Sequence, residues 1–404
     1  MGESVYWYKD KTPPGEPLRG TATSDVVVVG CGMAGLTCAQ ALAARGIDVT
    51  VIERDFCGAG ASGRSSGFIT PDSELGLSDL VEKFGEMQGK SLWEFVKSGL
   101  ERIRGTIAAH AIHCDFQIQD SLFVAHTARA YRKLVEREHH VQTSLGFQTT
   151  LYDRASLRAV VRSPGYHGGL RSGGTFGIDS YRYCRALTDA LERQGVRIYE
   201  STPAIRFAHD GVETPSGSVR ARAIAVFTDR DLPALGLAAP AVHAVRATLS
   251  ISQPLDDDEI RIMFSGDSLM VWDTDLIYQY YRITGERRLL LGAGDVCSLY
   301  LQDADASRER IIRKQRRYLA AHFPSLNVAF EHTWSGLIGV SKDFAPVVGR
   351  HETLRNVYFS GAAAGLPWAA ALGEYVSDKI TDGRDELDGP LSPDRSFAHG
   401  IEKL

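Results

Sequence analysis

Hydrophobic positions along this chain change their period several times, and each period predicts a different element. Residues 25–30 read DVVVVG: four valines without polar alternation, bounded by glycine, predict a parallel strand buried on both faces. Residues 33–46, MAGLTCAQALAARG, then place small and apolar side chains at helical spacing, with Gly46 as the closing residue. IDVTVIER follows as a second strand, so residues 25–54 make one βαβ unit.

Helix formers dominate residues 77–113, whereas residues 114–168 carry a mixed pattern. Residues 180–202 repeat the helix-into-strand theme, with Ala186, Leu187, Ala190 and Leu191 on one face, and RARAIAVFT (220–228) reads as another short buried strand. From residue 242 to 295 the period drops to two. There LIYQYYRITGERRLLLGAGD predicts a hairpin about TGER, with Tyr278 and Tyr280 on one strand face and Tyr281 on the other. A basic helix is expected at residues 308–322, ahead of TWSGLIGVSKDFAPVVGR and NVYFSGAAAGLPWAAALGEYVSDKI.

The first strand-to-helix junction carries chemistry. Gly30, Gly32 and Gly35 form G-x-G-x-x-G with Met33 and Ala34 between them, and Glu53 stands 23 positions after Gly30 at the end of the second strand. Glycines there let a pyrophosphate approach the positive helix start, and an acid at that spacing holds a ribose hydroxyl pair. An acid rather than an arginine at position 53 argues against a 2′-phosphate, which leaves NAD or FAD. The next loop, GAGASGRSSG (58–67), is glycine- and serine-rich and offers the hydroxyls of Ser62, Ser65 and Ser66 with the cation of Arg64. Such a segment suits a dinucleotide that runs on towards a flavin ring.

Composition narrows the partners. With 44% hydrophobic and 24% charged residues and a net charge of −5, the chain is ordinary for a soluble globular protein and offers no basic field for nucleic acid. Cys31, Cys38, Cys57, Cys114, Cys184 and Cys297 show no CxxC pair or metal-ligand spacing, so reduced thiols and a cytoplasmic protein are expected. No leader-like segment and no apolar run of membrane-spanning length is visible.

Across DVVVVGCGMAGLTCAQALAARGIDVTVIERDFCGAGASGRSSG the chain resembles the FAD-dependent amine and amino-acid oxidoreductases related to D-amino-acid oxidase, glycine oxidase and sarcosine oxidase. Within them it is most similar to the gamma-glutamylputrescine oxidase type, through an arm with YW and prolines, G-A-S-G-R-x-x-G, the YYRITGERRLLLGAG hairpin, and W-x-G with a downstream Asp and Pro. The resemblance covers residues 6–380. It implies noncovalent FAD held by Gly30, Gly32, Met33, Ala34, Gly35, Glu53 and Arg54. It further implies that Ala61, Ser62, Gly63, Arg64, Ser65, Ser66 and Gly67 line the ribityl and flavin edge, and that Arg197 and Ile198 lie near the adenine. Gly361, Ala362, Ala364, Gly365, Leu366 and Pro367 would approach the pyrimidine side of the ring.

The implied fold is α/β, an FAD-binding Rossmann-like domain of the glutathione-reductase type interleaved with a sheet-rich α+β substrate domain. On that reading residues 1–22 are an arm, 23–76, 168–231 and 332–385 bind FAD, 77–167 and 232–331 form the substrate domain, and 386–404 are a tail. Amino-acid-oxidising members usually carry an arginine just after Trp-x-Gly that clamps the substrate carboxylate; here stand Leu337, Ile338 and Gly339. An amine substrate is therefore favoured, with Ile338, Tyr278, Tyr280 and Trp368 as pocket candidates and oxygen or an electron carrier as acceptor. Two alternatives stay open: an α-amino-acid oxidase clamped by Arg246 or Arg282, and a flavin-binding pathway component without turnover of its own. No residue is assigned as acid or base; His243 and His332 near the second sheet read as structural.

Overall fold

The computed structural model describes residues 5–239, 241–275, 278–295 and 304–396. Its organising layer is a six-stranded sheet in the order Arg197–Tyr199, Val49–Ile52, Val26–Val29, Ala223–Val226, Val357–Gly361, Val347–Arg350. All neighbours run parallel except the last pair. The valine run is central and feeds two cores: Val26 and Val28 pack on the helical side, Val27 and Val29 on the opposite side. A period of two within an all-apolar strand is what coverage on both faces requires.

On the helical side Met33–Ala43, Ser180–Arg193, Leu366–Asp382 and Glu86–Ala109 pack together. The helical stretch expected at residues 77–113 is divided into Leu77–Phe84 and Glu86–Ala109 by Gly85, whose φ of +82° favours glycine. The opposite side is covered by a four-stranded sheet, Gly20–Thr23, Gly217–Arg220, Gly211–Thr214 and Arg206–Ala208.

The second large sheet has eight strands, in the order Phe330–Ser341, Val242–Pro254, Arg288–Asp295, Gln279–Ile283, Met270–Asp273, Ser121–Ala125, Gly168–Ser172, Thr150–Asp153. The hairpin expected about TGER is present, with Tyr281 opposite Leu291. Two strands depart from the expected partition: Gly168–Ser172 and most of Phe330–Ser341 fall in segments given to the dinucleotide part, yet both pair within this sheet. Glu86–Ala109 departs the other way and joins the helical core. Sequence period sees a strand or helix, whereas the partner that completes it is set by distant segments.

The Asp and Pro downstream of Trp-x-Gly form a turn tied to the C-terminal segment. The Asp343 carboxylate accepts from Arg395 Nε at 2.9 Å and Nη2 at 2.7 Å, while Arg395 also donates to the carbonyls of Ala345 and Pro346. Burial pushes the Asp343 carboxyl up, but the Arg395 guanidinium outweighs it and holds the group below its ordinary range. A depressed folded pKa means the contribution is fully present above the ordinary value of about 4 and is lost as pH falls through the folded value. Arg395→Ala, which strands the carboxylate, should cost about 3–5 kcal/mol. Urea unfolding at pH 7 and pH 3 checks this; the gap between wild type and variant should narrow at the lower pH.

Candidate active site

The first strand turns into its helix through glycines that nothing else can replace. Gly30 has φ +104°, and a Cβ there would stand 2.5 Å from the Phe227 carbonyl oxygen; a Cβ on Gly35 would collide with the Gly30 carbonyl. Gly32 caps the helix without a side chain, leaving the positive start facing a cavity lined by Gly30, Gly32, Met33 and Ala34. Gly35 lies behind that surface, where it lets helix and strand touch. Glu53 accepts from the amides of Cys31 at 2.9 Å and Asp55 at 3.0 Å. Burial raises its carboxyl despite those two bonds.

From this turn the cavity follows the glycine–serine loop. Ala61, Ser62, Arg64, Ser65 and Ser66 line it, and Ser62 Oγ accepts from the Met33 amide at 2.9 Å. Side chains from three other parts of the chain fix the loop's carbonyls. Trp334 Nε1 donates to Arg64 at 3.0 Å, Trp7 Nε1 to Ser65 at 2.9 Å and Arg282 Nε to Ser66 at 2.9 Å. Arg64 itself donates to the carbonyls of Ala59 at 3.0 Å and Ser335 at 3.3 Å. Gly63 and Gly67 do not line the cavity: each packs against backbone, Gly58 and Ile178 respectively.

Arg54 lines the outer end and pairs with Asp231 at 2.8 Å. Arg197 and Ile198 are placed differently from expectation. Arg197 lies on the edge strand, bonded to Asp48, Thr50 and the Thr23 carbonyl, and the cavity is lined instead by Thr202, Pro203 and Ala204, just past that strand's end. Ligand crevices in open parallel sheets form beyond the carboxyl ends of strands, which would have pointed to the later residues. Thr228 to Asp231, past the end of Ala223–Val226, enter for the same reason.

At the far end Gly361, Ala363, Ala364, Gly365 and Leu366 line the cavity, whereas Ala362 and Pro367 are buried behind it. Trp368, expected as a pocket wall, is 2% exposed and packs in the helical core with its ring 6.0 Å from Phe95. At the third position of a helix whose cavity side is taken by Leu366 and the preceding Gly365, its side chain points to the neighbouring helix. Tyr278, Tyr280 and Ile338 do line the cavity, joined by Phe68, Phe123, Trp272 and Glu74, which sequence reasoning missed. Gly292 sits across the hairpin from Tyr280 and leaves the space the tyrosine ring fills.

The two arginines considered as clamps differ. Arg282 is wholly buried, bonded to the Ser66 and Ile178 carbonyls, and burial lowers its guanidinium to about 10; it does not line the cavity. Arg246 does line it, and its guanidinium has no hydrogen-bond or ion-pair partner among the described residues.

The cysteine expectation needs correction at one pair. Cys31 and Cys57 form a disulfide, while Cys38, Cys114 and Cys184 are free and buried; Cys297 lies outside the described residues. The two half-cystines follow adjacent parallel strands, whose ends share one sheet edge, so a separation of 26 residues becomes a contact.

Residues 25–379 match the family described as FAD dependent oxidoreductase. The chain belongs to this family. It is 29% identical over 88% of its length to gamma-glutamylputrescine oxidoreductase of Escherichia coli, covering 83% of that protein. It is 27% identical over 92% of its length to a Haemophilus influenzae protein described as probable oxidoreductase OrdL, covering 85% of it. Among solved structures, glycine oxidase from Geobacillus kaustophilus superposes with TM-score 0.77 at 17% identity, covering 93% of this chain and 100% of that one. L-proline dehydrogenase from P. horikoshii gives 0.76 at 21%, covering 93% and 98%. The likeness of both is one of fold.

FAD is thus the family's cofactor, and the cavity fits it. A turn that a Cβ would block, an uncapped helix start, a carboxylate at the next strand end and a long groove of small residues meet in one continuous surface. Among the described residues no helix is long and apolar enough to cross a membrane.

Trp334→Phe should leave the Arg64 carbonyl unpaired at the cavity wall, costing about 1–3 kcal/mol in stability. Thermal denaturation and FAD retained through gel filtration would both fall; Trp7→Phe should act in the same direction on Ser65. Unchanged FAD retention in both variants would show that the loop holds its shape without these donors.

Proposed function

We propose that this flavoprotein oxidises a C–N bond of a small-molecule amine to an imine, which then hydrolyses. In this reading Gly30, Gly32, Met33, Ala34, Glu53 and Arg54 hold the dinucleotide end of FAD. Ala61, Ser62, Arg64, Ser65 and Ser66 follow its middle, Thr202 to Ala204 take the adenine side, and Gly361 with Ala363 to Leu366 take the ring's pyrimidine side. The Leu366–Asp382 helix begins there and would stabilise negative charge. When bound there, FAD would supply the hydride acceptor for oxidation of the carbon next to nitrogen, the nitrogen lone pair closing the C=N bond. The protein's part is to orient a neutral amine beneath the aromatic wall and to keep water out; no side chain is required as base.

The observation that carries the amine reading is the apolar surface where a carboxylate clamp would stand. Ile338 and Leu337 line the cavity after Trp-x-Gly, and Arg282 is committed to backbone carbonyls. The Escherichia coli relative, named for an amine substrate, supports it. One observation favours a second reading: Arg246, unpartnered and lining the cavity, offers a carboxylate a clamp from the sheet.

The purified protein should be yellow and bleach anaerobically with primary or secondary amines but not with D- or L-α-amino acids. Ile338→Arg should move that preference towards amino acids. Bleaching by amino acids, abolished by Arg246→Ala, would establish the second reading instead. Peroxide release on re-aeration separates oxygen from a carrier as acceptor.

A further inference from the structure

The aromatic wall of the cavity contains one acid that the protein leaves without a cation. Glu74 Oε1 accepts from the Tyr278 hydroxyl at 2.8 Å, and no Lys, Arg or His pairs with it among the described residues. Three neighbouring acids are provided for. Glu138 takes the Leu77 and Ser78 amides, Asp79 pairs with Arg137, and Asp273 with His126; Asp72, like Glu74, holds only a hydroxyl, that of Thr70, but makes no hydrogen bond with Tyr278 or Tyr280 among the described residues. Tyr278, which holds Glu74, and Tyr280, which feels its charge, begin a continuous aromatic wall of the same cavity: Tyr278 lies 5.6 Å from Tyr280 and 6.0 Å from Trp272 between ring centroids, Trp272 stacks on Phe123 at 4.0 Å, and Phe68 meets Tyr280 at 5.6 Å. Burial pushes the Glu74 carboxyl up to about 7, the response of an anion that lacks compensation.

A carboxylate facing an aromatic recess is half of an ammonium site. An alkylammonium ion supplies the missing charge while its methylene shell faces the rings, a combination neither water nor an amino-acid carboxylate can provide. We infer that Glu74, held by Tyr278 and walled by Tyr280 and Trp272, is a specificity-determining ammonium subsite, and that the preferred substrate carries a second, non-reacting cationic nitrogen. The nitrogen bound there is not the one oxidised, because ion pairing opposes the loss of charge that must precede hydride departure. The substrate class is therefore a diamine or polyamine. This rests on the amine reading above but is separable from it by experiment.

Two measurements on the FAD-loaded protein test it. Tetramethylammonium, which has no oxidisable N–H, is titrated by calorimetry and by its effect on the flavin spectrum, with tert-butanol as neutral control. Glu74→Gln should weaken tetramethylammonium about 10- to 100-fold and leave tert-butanol unchanged, with a smaller loss in Tyr278→Phe. In turnover, Glu74→Gln should raise KM for 1,5-diaminopentane at least about 10-fold with kcat little altered, and barely affect n-pentylamine. Equal cation binding by wild type and a yellow Glu74→Gln variant would overturn the subsite, as would an equal loss for diamine and monoamine. If the cation binds through Glu74 yet no amine bleaches the flavin, the subsite stands and the amine-oxidation reading falls.

Discussion

A glycine-rich loop pressed between two sheets presents part-buried carbonyls, and this structure brings side-chain donors from distant parts of the chain to three in succession. Trp7 arrives from the N-terminal arm, Trp334 from the edge strand of the eight-stranded sheet, and Arg282 from the hairpin inside it. Without them the loop would carry part-buried acceptors without a protein donor, each worth up to about 1–3 kcal/mol against folding. Residues 61–66 therefore take one shape, and that shape is one wall of the cavity.

The same donors join the two halves of the molecule. The edge strand that brings Trp334 also carries Leu337 and Ile338 to the cavity, and the Asp229 carboxylate accepts from the Gly339 amide at 2.6 Å, tying the sheets at the other end of that segment. The hairpin that brings Arg282 brings Tyr278 and Tyr280 on the same strand face. The glycine–serine loop and the aromatic wall of the cavity are thus positioned by one set of contacts. Arg282 cannot serve both as loop anchor and as substrate clamp, since its donors Nε and Nη2 already face backbone.

How legible this was in the sequence depends on the range of the interaction. The G-x-G-x-x-G turn, the valine strand, Glu53 and the TGER hairpin could be read because each is decided by sterics or period within a few dozen residues. Trp368 was misread because a helix's buried and cavity-facing sides are both apolar, and only the packing against Phe95 separates them. Arg197 was expected at the cavity, but Thr202 to Ala204, just past the end of its strand, line it instead. Glu74 gave no signal at all: an acid in a polar loop looks solvated until Tyr278, about 200 positions away, closes over it.

What the sequence by itself determined is the dinucleotide half of the problem, because backbone approach to a phosphate demands glycine at fixed local spacing and leaves a readable mark. Tertiary structure alone decided which side chains form the aromatic wall of the cavity and the Cys31–Cys57 pairing. Those depend on which side chains from distant strands converge on one volume, and convergence follows from sheet order, which no local pattern encodes.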